Sequence, residues 1–354
     1  MAPPVALQMA AHYSSVGFQH QYRKLFQGFR PPPLSHSAFA GFFIVLFPDS
    51  AYSFFKLTEL LMNDFHHPEY NLKRWVQRCN ARDLTRFAPL HIGDTVIGWV
   101  PKDHLSRFRE HHTVFGVMDA EVWVQDHLNT PAARTSAVGE VLAEWEKRGW
   151  VSGWRDELYR VSTRFDDEPL LLVERAAAQL LGICSYGVHL NGFVQKSEGL
   201  WMWIARRAKD RPHYPGYLDH LVAGGLTAGQ SAWEVVIREC WEEAGIPESL
   251  AQRCRPNGFV TVFMDHYGLI KRDLLFTYDL ELPEDFEPEN TDGEVEDFEL
   301  LPIEEVVHLV AETDEIKLNC NLVIIDFFVR YGILTPEHPH YSKIVLGLRA
   351  GGCA

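Results

Sequence analysis

Residues 220–246, HLVAGGLTAGQSAWEVVIRECWEEAGI, restrict what this chain can fold into more than any other stretch. An apolar run ends in a glycine pair, a loop of small residues follows, and apolar side chains then recur at helical spacing, so the segment reads strand, glycine loop, helix. The helix closes on Glu239, Glu242 and Glu243. Spacings of three and four put these carboxylates on one face, about 5–6 Å apart between Cβ atoms, where like charges repel. Gly245 follows, suited to the positive φ of a helix end. Such a face either points into water or encloses a cation.

The rest of the chain sets limits on the second possibility. An apolar share of 46% over 354 residues supplies one large domain or two ordinary ones. A formal net charge of -15 argues against nucleic acid or an anionic membrane as partner, and leaves room for a small anionic molecule. The six cysteines show no CxxC spacing, which implies a reducing compartment, the cytoplasm by default. The apolar run AFAGFFIVLF is too short to cross a bilayer. No Asp or Glu precedes Asp49, a composition shared by disordered leaders and by plastid or mitochondrial transit peptides.

Four segments are expected: a leader over 1–50, a smaller α/β cap over 51–156, a main domain over 157–345, and a tail over 346–354. In the cap, helical spacing covers 54–79, FAPLHIGDTVIGWVPKDHLSRF reads as a small sheet with a following helix, and residues 139–151 form an amphipathic helix. In the main domain, YGVHLNGFVQ and GLWMWIARRA are antiparallel strands joined by KSEG, and GFVTVFMDHYGLIKRDLLFTYDLEL adds more. An acidic connection over 283–302 leads to two closing helices. The fold class is α+β, a mixed sheet with helices against its faces. The doublets His66-His67 and His111-His112 read as surface histidines, because no third ligand stands at metal spacing.

Gly224, Arg238, Glu239, Glu242, Glu243 and Gly245 together resemble the signature of the Nudix hydrolases, a glycine loop and a helix ending in R-E-x-x-E-E-x-G. The resemblance implies an α/β/α sandwich, hydrolysis of a diphosphate linkage, and Mg²⁺, or Mn²⁺ in its place, as cofactor. On it, Glu242 and Glu243 are the principal metal ligands, with Glu239 and the Gly224 carbonyl completing the site and Arg238 orienting a glutamate. Two positions depart from the signature. Gln230 stands where the family has a glutamate, its amide still able to bond Arg238, and Cys240 stands at an aliphatic position as a small buried group. Glu294, with Glu296 close behind, is the candidate for a further ligand or base, as family members recruit a glutamate beyond the motif.

The flanks GWRDELYRV, ERAAAQLLGICSYGVHLNGFV, WMWIARRAKDRPHYPGYLDHLVAGGL and DGEVEDFELLP resemble one Nudix branch. It is related to the enzyme fused to fungal thiamine pyrophosphokinase and has plant plastid members. That likeness implies a thiamine-type diphosphate, including oxidised forms, cleaved to the monophosphate. An ADP-ribose-type nucleoside diphosphate is the alternative, and a lapsed site kept as a diphosphate-binding module is another. Arg206, Arg207 and Lys209 are candidate phosphate contacts, joined by Arg211 in the same run. Tyr186, His189, Trp201 and Trp203 are candidates for stacking on a heteroaromatic ring, or else sheet core. The sequence leaves the oligomeric state open.

Overall fold

The helical pattern over 54–79 is only partly in view, because the structure, a computed structural model, describes residues 70–352. The leader and the doublet His66-His67 lie outside those residues. Helix α1 (Lys73–Cys79) buries Trp75, Val76 and Cys79. They join the core of the C-terminal half, where the Trp75 indole N–H donates to the Val310 carbonyl at 2.6 Å.

A four-stranded sheet follows, from β1 (Phe87–Ile92), β2 (Thr95–Pro101), β3 (Phe115–Met118) and β4 (Glu121–Val124), in the order β2-β1-β4-β3. Gly93, at φ +55°, makes the tight turn between β1 and β2. Helices α2 (Leu105–Glu110) and α3 (Pro131–Lys147) complete the layer. Helix α3 starts well before residue 139, because the Thr130 side chain caps the Ala133 amide and Pro131 fits the first turn. The small residues of that first half left its periodicity weak. Trp145 packs edge-on to Phe108, and its indole N–H reaches His111 Nε2 at 3.0 Å. His111 is therefore a half-buried acceptor and not a surface residue; His112 is exposed.

The hairpin β5 (Leu158–Val161) and β6 (Leu171–Glu174) and the short α4 (Ala178–Leu181) pack into this same core, which runs on to Ile183. Residues grouped by sequence with the main domain thus share the cap's interior.

The large sheet begins at Cys184. Its strands are β7 (Cys184–Lys196), β8 (Gly199–Arg207), β9 (Leu218–His220), β10 (Val222–Gly225), β11 (Arg255–His266), β12 (Leu269–Glu281) and β13 (Val295–Pro302). The order is β11-β12-β7-β8-β13, with β10 beside β7 and β9 beside β8; β7 and β12 run parallel and the other pairs antiparallel. Strand alternation sends Val188, Leu190, Leu274 and Tyr278 to one face, under α5 (Ala232–Ala244) and the short α6 (Glu248–Ala251). Met202, Val260, Val262 and Leu275 go to the other, under α7 (Ile303–Glu312) and α8 (Cys320–Arg330). A last helix, α9 (Tyr341–Gly347), had no sequence counterpart, and β13 arises inside the segment read as an acidic connection. The expected α+β sandwich is the fold. No helix among the described residues is long and apolar enough to cross a membrane.

Candidate active site

Helix α5 is fixed at both ends. Ser231 and Glu234 form a reciprocal capping box at its start, and Gly245, at φ +61°, closes it. Val235, Val236, Cys240 and Ala244 hold it to the sheet, which sets the direction of the glutamates. Cys240 is fully buried beside Cys254, and its thiol is pushed far up, as suits an inert apolar filler.

Glu243 is 8% exposed, and its Oε2 accepts the backbone N–H of Ala223 at 2.7 Å. Glu239 lies against the backbone of Gly224, where a Cβ would sit 2.5 Å from Oε1 and would displace that carboxylate. Arg238 donates to Glu239 Oε1 at 2.8 Å and stands 3.9 Å from Glu242 Oε2. Gly224 is paired with Val188 on β7, whereas the amide of Ala223 turns outward to Glu243. Because the N–H and C=O of one strand residue point the same way, the carbonyl aimed at the glutamates is that of Ala223. This corrects the expectation for the Gly224 carbonyl. Gln230 does not reach Arg238 either: its Oε1 accepts from the Thr227 hydroxyl at 2.5 Å, a partner three residues away in the same loop.

Electrostatics along this ridge is unfavourable. Burial drives the Glu243 carboxyl well above the usual range; the Ala223 amide opposes this, while Glu239, Asp219 and Glu294 add to it. Burial likewise raises Glu239 to about 7, with Arg238 pulling down and Glu242, Glu294 and Asp292 pushing up. Buried carboxylates without matching cations hold protons unless a cation arrives.

Glu294 reaches the ridge on a loop tied to the end of α5. The Thr291 hydroxyl donates to the Glu242 carbonyl at 2.7 Å, and the Glu289 amide to the Ala244 carbonyl at 3.1 Å. Glu294 raises both Glu239 and Glu243, an influence that Glu296 does not share. The neighbouring basic cluster is already neutralised. Arg211 pairs with Glu294 at 2.7 Å, Lys209 with Glu296 at 2.8 Å and Arg206 with Glu299 at 3.5 Å, while Arg207 turns inward to Asp219 at 3.2 Å. Adjacency of β8 and β13 brings these charges together, so each candidate phosphate contact of this run is paired with an acid.

Tyr186 and Trp203 lie in the core beneath α5, 3% and 8% exposed, so they offer no stacking face. Trp201 is half-buried with the Lys196 ammonium over its ring. His189 sits on the opposite face, 2.5 Å through Nδ1 from His220 Nε2. His189, His220 and Cys320 form a buried group. Sequence reasoning missed Ala223, Asp292, and the pair Tyr159 and Arg175 that covers Gly225. Only Ala223 carried a signal, as the residue ahead of the glycine pair. The donor set on the ridge, three carboxylates, Glu294 nearby and an outward carbonyl, is all oxygen and suits a hard divalent cation.

Comparison with known proteins gives two family matches: residues 71–185 fit a domain of unknown function, DUF4743, and residues 186–320 fit the NUDIX domain. Nudix hydrolase 20, chloroplastic, of Arabidopsis thaliana is 40% identical over 291 residues, covering 79% of this chain and 78% of that protein. Nudix hydrolase 24, chloroplastic, of the same plant is 40% identical over 284 residues, with the same coverage of 79% and 78%. Among solved structures, DR0079 from Deinococcus radiodurans aligns with a TM-score of 0.37 and 22% identity, over 49% of this chain and 98% of that one.

Proposed function

The chain belongs to the Nudix hydrolases, enzymes of diphosphate-linkage hydrolysis, and we propose that this member cleaves a thiamine-type diphosphate, or its oxidised forms, to the monophosphate and phosphate. One observation carries the hydrolytic part: a ridge of three carboxylates, buried Glu239 and Glu243 with Glu242 beside them, that shares the single cation Arg238. The thiamine part is supported by the likeness of the flanks around the motif to the thiamine-related branch.

In this reading Glu239, Glu242, Glu243 and the Ala223 carbonyl hold Mg²⁺, with Mn²⁺ as a substitute. The ion, when bound, neutralises the diphosphate and acidifies water. The protein's own groups do the rest. Arg238 fixes the Glu239 carboxylate, and the helix-end loop carries Glu294 to where it can take the proton of the attacking water as the anhydride P–O bond breaks. Glu294 is held for that task by Arg211. For compartment, the two relatives named chloroplastic favour delivery to a plastid through the acid-free leader over the cytoplasmic default.

The test is a set of diphosphates incubated with purified protein and magnesium, products identified by mass. Phosphate release from oxothiamine diphosphate is expected to exceed turnover of ADP-ribose. The reverse ranking moves the assignment to nucleoside diphosphates.

A further inference from the structure

The face of the large sheet opposite α5 carries a buried polar chain that hydrolysis as described leaves unused. Asp219 is at its root, 5% exposed. Its Oδ2 is met by Lys317 at 3.1 Å and Arg207 at 3.2 Å, and its Oδ1 by the Cys320 thiol at 2.7 Å and the His220 amide at 3.0 Å. Two cations and two further donors keep it ionised. His220 Nδ1 lies 3.3 Å from Oδ1, its nearest charged neighbour, and makes no hydrogen bond among the described residues. A bare lone pair there would face a carboxylate lone pair, so the proton of His220 resides on Nδ1. His220 Nε2 is then an acceptor, and its neighbour at 2.5 Å, His189 Nδ1, is the donor.

The consequence appears at the far end. With its proton on Nδ1, His189 presents an unprotonated Nε2, which no hydrogen bond among the described residues engages. That atom lies 3.9 Å from where a Cβ of Gly187 would stand. Gly187 pairs with Gly225 on β10, next to Ala223, the residue that meets Glu243; the place of a Gly225 side chain is taken by the Tyr159 hydroxyl and the Arg175 guanidinium. A shared metal explains the group less well. Two nitrogens on one zinc ion at ~2.1 Å in tetrahedral geometry stand about 3.4 Å apart, farther than these rings, and the thiol is engaged by Asp219.

We propose that the Asp219–His220 pair is a positioning device that locks His189 in its Nδ1–H tautomer, so that Nε2 accepts a hydrogen bond from an N–H donor on the substrate's amino-bearing heteroaromatic head group. This rests on the reading of the site as a hydrolase of such diphosphates, and its first test does not use substrate. Long-range proton–nitrogen correlation on histidine-labelled free protein shows His189 protonated at Nδ1 and bare at Nε2. Asp219→Asn, whose amide can offer a proton to His220 Nδ1, reverses both rings. A wild-type His189 carrying its proton on Nε2 overturns the proposal.

Should Asp219→Asn fail to fold with Lys317 and Arg207 unanswered, a second pair of variants decides. Asparagine at 189 reproduces only the Nδ1 bond to His220, whereas glutamine can set its amide oxygen where Nε2 stands. His189→Asn is expected to raise KM for thiamine diphosphate tenfold or more with a smaller change in kcat. His189→Gln is expected to keep KM within about threefold of wild type. Equal effects from the two variants refute the head-group contact. If thiamine diphosphate is not turned over at all, the substrate reading fails while the tautomer measurement still decides the device.

Discussion

Two sets of buried carboxylates lie against opposite faces of the large sheet and are treated in opposite ways. Asp279 on β12 and Asp326 on α8 are each 2% exposed at the side chain, and each is answered by arginine. Arg330 forks across Asp279 and reaches Asp326 at 2.8 Å, while Arg349 takes the other Asp326 oxygen at 2.7 Å. On α5, Glu239 and Glu243 are also removed from water, yet Arg238 is the one cation within ion-pair distance of the ridge among the described residues. Neighbouring acids push the ridge further toward protonation. Burial with matched charge builds architecture; burial without it is a cost that a fold retains where a ligand is to supply the missing charge.

Exchanging one charge in each set should break the comparison along different axes. Glu243→Gln keeps shape and removes a ligand charge, so hydrolysis should fall by about 10³-fold or more while the metal-free protein holds or gains thermal stability. Arg330→Ala should do the reverse. It leaves buried Asp279 without a cation and Asp326 with Arg349 alone, and should cost about 3–5 kcal/mol in denaturant unfolding, with kcat of the folded enzyme near wild type. Loss of stability in Glu243→Gln would place the ridge with the architectural set.

A titration sharpens the contrast. The Glu239 carboxyl is raised in the folded state from 4.5 to about 7. A raised carboxyl stabilises the fold below its unfolded value and loses that contribution as pH climbs through the folded one. Chelated protein should therefore weaken as pH rises above about 4.5, the part owed to Glu239 amounting to about 3 kcal/mol and ending near pH 7, with Glu243 adding to the same slope. Magnesium should restore stability at pH 8, and Glu239→Gln should reduce the slope to the share owed to Glu243. Melting temperature against pH, with and without chelator, is the measurement. A slope unchanged in Glu239→Gln would assign it to other groups.

The two sets also differ in how much of them the sequence could disclose. The ridge is local: spacings of three and four within one helix, a glycine pair before it and Gly245 after it define it without knowledge of the fold. The long strands β7, β8, β11 and β12 were equally plain from runs of apolar and β-branched residues. The rest depended on strand adjacency. Asp279 and Arg330 are 51 residues apart, and Lys209 and Glu296 87 apart, so the neutralised state of the basic run could not be read along the chain. Tyr186 and Trp203 took their places from the side of the sheet that α5 covers. Residues 158–183 carried the turn and strand signals of the main domain but gave their apolar side chains to the first core, because β6 packs beside α3.

The smallest effect expected is at Gln230, the position where the ridge departs from its family's charge pattern. Its Oε1 accepts from the Thr227 hydroxyl, a bond that a carboxylate oxygen can equally accept. Gln230→Glu therefore keeps the loop's hydrogen bond and adds one negative charge near a site whose task is to gather cations. Local unfolding is not expected, because the capping box of Ser231 and Glu234 holds the start of α5 independently. Activity with magnesium should be equal or up to a few-fold higher, since one partly solvated charge is worth about 1 kcal/mol or less. A clear drop in kcat would mean that the added charge disturbs the loop more than it helps gather the ion. The position would then belong with Asp279 and Asp326, whose charges serve packing, and not with the glutamates of the ridge.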